Sequence, residues 1–351
     1  MNRLGISALC AVTMLASWAL TRAFRSYAVG RGMIDVPNER SSHVRPTPRG
    51  GGAAIALTTI AALLVLALAD VLSWTVALGF SGAGGAVAVT GFVDDRKHLK
   101  RRWRLLSHFV AASILLVSLG SRQITPFGDL LSGWVVWVVL LLYVVWLINL
   151  TNFMDGIDGL AASEAVTVSA GGALLYGLTP PLADAWATPL VFAAAALGFL
   201  VWNLPPARIF MGDVGSGFIG MSLAALSLHA LTVSPSLFWG WIILLGVFIV
   251  DASMTLLRRM LRGERVYDAH RTHAYQHAAI RWRTHGRVTL AVIAVNLFWL
   301  LPLACVVATH RVDSATGTAL AYAPLLVIAV WLGAGVPGLR RRHDDARPAK
   351  T

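Results

Sequence analysis

The sequence predicts an all-α, polytopic transmembrane helical bundle of about eleven spans, and three observations carry that expectation. The 351 residues are 57% hydrophobic and only 13% charged, with a mean hydropathy of +0.68, whereas a soluble domain carries roughly 25% charged residues. Apolar runs near the length of a bilayer crossing recur at 4–21, 52–69, 74–92, 105–120, 133–150, 160–178, 188–202, 216–233, 238–257, 288–308 and 319–337. Connections after the odd-numbered runs, with the C-terminal stretch, hold 26 of the 29 Lys and Arg residues. That bias predicts a periplasmic N-terminus and a cytoplasmic C-terminus, because cationic loops stay inside. Residues 1–338 then form one membrane domain, and 339–351 a basic cytoplasmic tail.

Each run has its own justification. The first follows a single Arg3 and lacks a small-residue cleavage site, so it is expected to stay as an uncleaved helix. Removing or adding a span in the middle would destroy the charge alternation, so the count checks itself. A net charge of +12 and pI near 10.8 belong to topology rather than to nucleic acid, since no basic, aromatic-interleaved stretch is free of apolar runs. Cys10 and Cys305 lie inside apolar runs, which excludes a disulfide framework.

Five connections on the predicted cytoplasmic side hold polar clusters. The first, IDVPNERSSHVRPTPRGGG, offers Asn38, Arg40, His43 and Arg49 as phosphate donors; its plainer reading is a basic anchor. Asp94 and Asp95 are adjacent at the end of the third run, and holding both ionised near apolar surroundings calls for a cation or strong donors. A hard divalent metal would serve, although an ion pair with Arg96 or Lys97 would also do. The third connection, NFMDGIDGL, has no Lys or Arg. Its Asp155 and Asp158, at i, i+3, would share a face on one helical turn. Gly156 and Gly159 leave room for another backbone or a ligand beside them. The fourth, NLPPARIFMGDVGSGFIG, sets Asp213 in a glycine-rich turn before a helix, where amides favour anions. In the fifth, His270, His273 and His277 follow i, i+3, i+7 and would share a helical face; phosphate and sugar contacts, a plain surface helix and a structural metal site are the alternatives. Acids, histidines, arginines and glycine turns on one membrane face together suit metal-assisted phosphoryl transfer.

The blocks DVPNERSSHVRPTPRGG, GFVDD, NFMDGIDGL, NLPPARIFMGDVGS and AHRTHAYQ, in this order from about Asp35 to His285, resemble the polyprenyl-phosphate N-acetylhexosamine-1-phosphate transferases, glycosyltransferase family 4. The resemblance implies a multi-pass enzyme of the bacterial inner membrane with its active site on the cytoplasmic face. It implies Mg2+, with Mn2+ as a substitute, and undecaprenyl phosphate and a UDP-N-acetylhexosamine as substrates. Undecaprenyl-diphospho-sugar and UMP would be the products, and a homodimer is left open. Muramoyl-pentapeptide transferases carry consecutive histidines where this chain has HRTHAYQ. The loop looks more like the O-antigen-initiating branch, whose donors include 6-deoxy sugars such as N-acetylfucosamine and N-acetylquinovosamine. Arg101, Arg102 and Arg104 stand where many members have a lysine.

On this resemblance Asp94, Asp95 and Asp213 are the expected catalytic residues and metal ligands. Asn38, Arg40, His43, Arg49, Asn152, Asp155, Asp158, Asn203, Phe210, His270, Arg271 and His273 are expected to bind substrate. A pentapeptide transferase is the nearest alternative. An ion-coupled transporter would place its acids near the midplane, and a CDP-alcohol phosphotransferase would need an arginine that DGIDGLAAS lacks.

Overall fold

The computed structural model describes residues 1–37, 45–97, 99–120, 126, 133–179, 185–265 and 270–337. Asn38, Arg40, His43 and the expected tail at 339–351 lie outside these residues. The described chain is helical apart from one short hairpin. Helices α1 (Arg3–Gly30), α2 (Ala53–Leu68), α3 (Trp74–Lys97), α4 (Arg101–Ser118), α5 (Trp134–Met154), α6 (Leu160–Gly177), α7 (Ala187–Asn203) and α8 (Gly212–Val233) come first. Then follow α9 (Pro235–Leu244), α10 (Gly246–Leu261), α11 (Ala274–Trp282), α12 (His285–Val295), α13 (Leu301–Ala308) and α14 (Ser314–Trp331). Strands β1 (Ile34–Asp35) and β2 (Thr47–Pro48) pair antiparallel.

Among the described residues, six helices are long and apolar enough to cross a membrane, counting α12 to α13 as one, and seven if α9 and α10 make one span. Each of the eleven expected runs meets a helix, but not each helix has a span's length and composition. Helices α2 and α7 are shorter, at 16 and 17 residues, α4 opens on Arg101, Arg102 and Arg104, and Glu164 with a run of small residues dilutes α6. The ninth run is not one straight helix. It breaks after Leu244, and its halves meet at 69°. The break strands the Ile242 carbonyl, and the Tyr322 hydroxyl of α14 donates to it at 2.6 Å, supplying the bond that buried backbone must find.

Helix α8 is the hub, with 94% of its apolar window buried, whereas α1 and α14, at 22%, line the outside. Apolar side chains on all faces of α8 would make it lipid-soluble; Gly215, Gly217 and Gly220 instead let α2, α3 and α5 approach it closely. A π-helical turn, Asn296–Leu300, separates α12 from α13. Its Asn296 amide donates to Glu164 Oε2 at 2.7 Å, tying α6 to this turn inside the bundle.

Candidate active site

The site is built around the start of α8. Gly212 has φ +76°, and a Cβ there would lie 2.5 Å from Asp95 Oδ2; only glycine fits without strain. This turn aims the first amides of α8 at α3. Asp95 accepts from the Asp213 amide at 3.1 Å and the Val214 amide at 3.2 Å, so its carboxylate meets two donors that the helix cannot satisfy itself. Arg49 closes the other side: its guanidinium donates to the Asp95 carbonyl, and its Nε is 3.9 Å from Asp95 Oδ1. The chain around Arg49 is held against Phe210 by a parallel bridge, with the Phe210 amide donating to Pro48 at 2.8 Å.

Asp94 and Asp213 share one cation. Arg104 lies between them, 2.9 Å from Asp94 Oδ2 and 3.8 Å from Asp213 Oδ2. Asp94 also accepts from the Leu99 amide at 2.6 Å. Asn152 donates to Asp213 Oδ1 at 2.7 Å and to Ser216 at 2.9 Å. The Asp213 side chain is 34% exposed, against 6% for Asp94 and 2% for Asp95. Asp213 is therefore the most accessible of the three carboxylates, whereas Asp95 holds the helix start.

Asp155 and Asp158 do not share a helical face. Helix α5 stops at Met154 with Asp155 as its C-cap, because the glycines that follow cannot carry the helix on. The two acids sit in different surroundings. Asp158 takes His285 Nδ1 at 3.2 Å and the Ala207 amide at 3.0 Å. Among the described residues no hydrogen-bond donor meets the Asp155 carboxyl. Burial pushes its pKa well above the usual carboxylate range, reinforced by Asp213, Asp95 and Asp158 in that order. Gly156 admits Tyr275, whose hydroxyl would strike any Cβ at that position.

The histidine segment also departs from its expected form. Helix α11 begins at Ala274, with His273 as N-cap, so His270 precedes the helix and cannot share a face with His277. Asp251 of α10 takes His273 Nδ1 at 3.2 Å and the Ala274 and Tyr275 amides at 2.9 Å. His273, 2% exposed, is thus part of a clamp. His270 stacks on it at 4.9 Å; burial, with the charges of His273 and Arg259, pushes its pKa down to about 4, leaving the ring neutral at pH 7. Asn203 is likewise engaged in backbone bonds, to the Gly159 amide and the Ile209 carbonyl, both at 3.0 Å.

A cavity of about 800 Å3 lies beside the acids, walled by Arg45, Asp158, Phe210, Arg271, Arg283 and His285 among others. It reaches the acid cluster through Asp158 and Phe210 rather than opening onto Asp94 or Asp213. A narrow cleft lined by Thr90, Arg104, His108, Asn152 and Asp213 touches one of the catalytic candidates, Asp213. The wide cavity offers room and positive charge; the cleft holds the Asp213 carboxylate beside Arg104. Among the described residues no three acid, histidine or cysteine side chains form a ready metal cage. The donors suit Mg2+ all the same, because that ion keeps several waters and takes one or two carboxylates together with substrate phosphates. Asp155, with no donor or cation against it among the described residues, and the exposed Asp213 would supply those oxygens.

Arg45, Arg104, Asp251, Arg283 and His285 were not among the site residues expected from the sequence. Asp251, a lone acid in the apolar run GVFIVDASM, carried a signal that could have found it. His285 and Arg283 look like ordinary members of a basic connection, and only the fold brings them to the cavity.

Apolar helices surrounding a one-ended centre of acids and arginines define a multi-pass membrane protein with a polar site. Glycosyl transferase family 4 matches residues 76–231. A Streptomyces coelicolor protein named as a glycosyltransferase is 30% identical over 306 residues, covering 83% of this chain and 67% of that protein. An undecaprenyl-phosphate N-acetylglucosaminyl 1-phosphate transferase of Bacillus subtilis is 29% identical over 298 residues, 80% of this chain and 79% of that one. A phospho-N-acetylmuramoyl-pentapeptide-transferase of Shouchella clausii is 28% identical over 295 residues, 73% of this chain and 80% of that one. The chain belongs to glycosyl transferase family 4.

Proposed function

We propose that the protein transfers an N-acetylated sugar-1-phosphate from a UDP-sugar to undecaprenyl phosphate, releasing UMP, and thereby initiates O-antigen or a related surface polysaccharide at the cytoplasmic face of the inner membrane. A phosphate oxygen of the lipid attacks the sugar-linked phosphorus. A new P–O bond forms as the bond to UMP breaks. The observation that carries this reading is Arg104 set between Asp94 and Asp213, beside a cavity lined by three further arginines. Two anions must meet there, and only positive charge lowers the cost of their approach.

Mg2+, when bound, would neutralise the diphosphate and stabilise the leaving UMP. Asp213 is the principal candidate to hold it, with Asp155 or Asp94 as second carboxylate. Arg104 meets the phosphate that enters the cleft and keeps Asp94 oriented. Asp94 accepts or orients a proton of the lipid phosphate. Arg45, Arg271 and Arg283 draw the donor's phosphates into the cavity, while Asp158 and Phe210 bound its nucleotide end. Asp95 and Arg49 act one step back, by fixing the start of α8. The polyprenyl tail stays in lipid as its phosphate reaches the bundle's end.

The test supplies purified protein with undecaprenyl phosphate, Mg2+ and a panel of UDP-N-acetylhexosamines, and measures UMP. The Bacillus subtilis relative's name puts N-acetylglucosamine first in the panel, ahead of 6-deoxy sugars. UDP-N-acetylmuramoyl-pentapeptide is included because of the Shouchella relative; the interrupted histidines of HRTHAYQ count against it. UMP release with the pentapeptide donor alone would move the protein to the peptidoglycan branch, and release with none would end the transferase reading.

A further inference from the structure

After α14 the chain turns back on itself over Leu332–Val336. Gly333 and Gly335 have φ of +79° and +76°, the left-handed backbone that such a tight curl requires. Four polar contacts fasten it to α10, α11 and the segment between them. Arg258 donates to the Ala334 carbonyl at 3.0 Å, and Arg262 donates to the Gly335 carbonyl while its Nε holds Glu264 at 2.8 Å. His277 Nδ1 donates to the Leu332 carbonyl at 2.9 Å. The Gly335 amide donates to the Thr272 carbonyl at 2.6 Å. At the last residue of α14, directly before the curl, Arg281 stacks over Trp331 at 4.4 Å.

Thr272 stands between Arg271, which walls the cavity, and His273, which Asp251 clamps. Its hydroxyl also shares a hydrogen bond with His270 Nδ1 at 3.0 Å. The segment is therefore gripped on one side by α10 and on the other by the curl. A loop residue between two such anchors loses most of its freedom, and a preorganised arginine binds phosphate without the cost of being ordered.

We propose that the curl Leu332–Val336 is a positioning strap: through the Gly335 amide it holds the Thr272 carbonyl and so sets Arg271 against the donor cavity. Gly335, Arg262 and His277 are positioning residues, since none touches the carboxylates of the reaction. The inference rests on the reading of the cavity as the donor site. It adds that donor affinity is set in part by the end of the last helix, far along the chain from the acids.

Gly335→Ala is the direct variant, because a Cβ would come within 2.8 Å of the Thr255 carbonyl and 2.9 Å of Arg258 Cβ, on a backbone that disfavours any side chain. Its KM for UDP-N-acetylglucosamine should rise about tenfold while kcat stays within about threefold, the pattern of lost ground-state binding. Arg262→Ala gives the same split if Gly335→Ala does not fold, and Arg262→Lys restores part of it. Combined with Arg271→Ala, Gly335→Ala should add less than its own single effect, because both act through one contact. Amide exchange over residues 270–276 should quicken in both strap variants. Unchanged KM, full additivity with Arg271→Ala, or unchanged exchange would each overturn the strap. If the wild-type protein releases no UMP from any donor, the functional reading fails, and exchange alone still decides whether the curl holds the segment.

Discussion

Replacing Asp213 by Asn separates the charge of this carboxylate from its shape. The amide keeps the volume, and its oxygen can still accept from Asn152, now at 2.7 Å from Asp213 Oδ1. Arg104, at 3.8 Å and with a side chain 30% exposed, loses only a screened attraction, of the size measured for surface ion pairs, about 0 to 1 kcal/mol. Asp94, Asp95 and Asp155 lose a repelling neighbour. Asp213→Asn should thus leave the melting temperature of the ligand-free enzyme unchanged or slightly raised. If Asp213 holds the cation that neutralises the diphosphate, turnover should fall by about 10² to 10³, or roughly 2.7 to 4 kcal/mol of transition-state stabilisation. The Mg2+ concentration needed for half-maximal rate should rise with it. The assay is UMP release from UDP-N-acetylglucosamine and undecaprenyl phosphate across a Mg2+ titration, with thermal unfolding of the same preparation. Turnover near the wild-type rate would refute the assignment. A melting temperature that falls in step with activity would show that Asp213 supports the fold rather than the chemistry.

Gly212→Ala should destabilise the protein by about 1 to 2 kcal/mol, since a side chain must then adopt left-handed backbone and collide with Asp95; thermal unfolding reads it. Arg104→Lys should retain more activity than Arg104→Ala, because a single ammonium can serve one of the two carboxylates but not span both; comparing kcat for the two variants checks it. Asp155 carries a pH signature. Its folded pKa is raised, so its stability contribution is full below the unfolded value of about 4 and is lost as pH rises through the folded value. Asp155→Asn should therefore make the ligand-free enzyme more stable than wild type at pH 7, with the gap closing near pH 4, as melting curves across pH would show. Mg2+ binding to the wild-type protein should release a proton that Asp155→Asn does not, measurable in a weakly buffered titration.

The bundle was legible because apolar runs are local properties of the chain. Asp94, Asp95, Asp155 and Asp213 stood out for the same reason: charge at the end of an apolar run is costly enough to demand an explanation. Their division of labour was not legible. Asp94 and Asp95 are neighbours in sequence, yet one faces Arg104 and the other caps α8, a split set by the Gly212 turn and by Arg49 from a distant loop. Period-based reasoning failed at Asp155 with Asp158 and at His270 with His277 because both stretches are where helices end or begin. A spacing of three or four residues fixes a shared face only inside a continuous helix. The break in α9 to α10 was hidden for a related reason, since hydropathy does not register a lost hydrogen bond that another helix replaces.

That replacement has a consequence for the order in which the protein comes into being. Chains emerge from the ribosome N-terminus first, so the acids of α3, α5 and α8 are in place well before α14 exists. Both the hydroxyl that covers the Ile242 carbonyl and the curl that grips Thr272 belong to α14 and its end. A nascent chain halted before α14 would hold its carboxylates assembled while its bent helix and its arginine-bearing loop were unsecured. Arrival of α14, rather than insertion of the acids, is then the moment at which the bent helix and the Thr272 segment are secured.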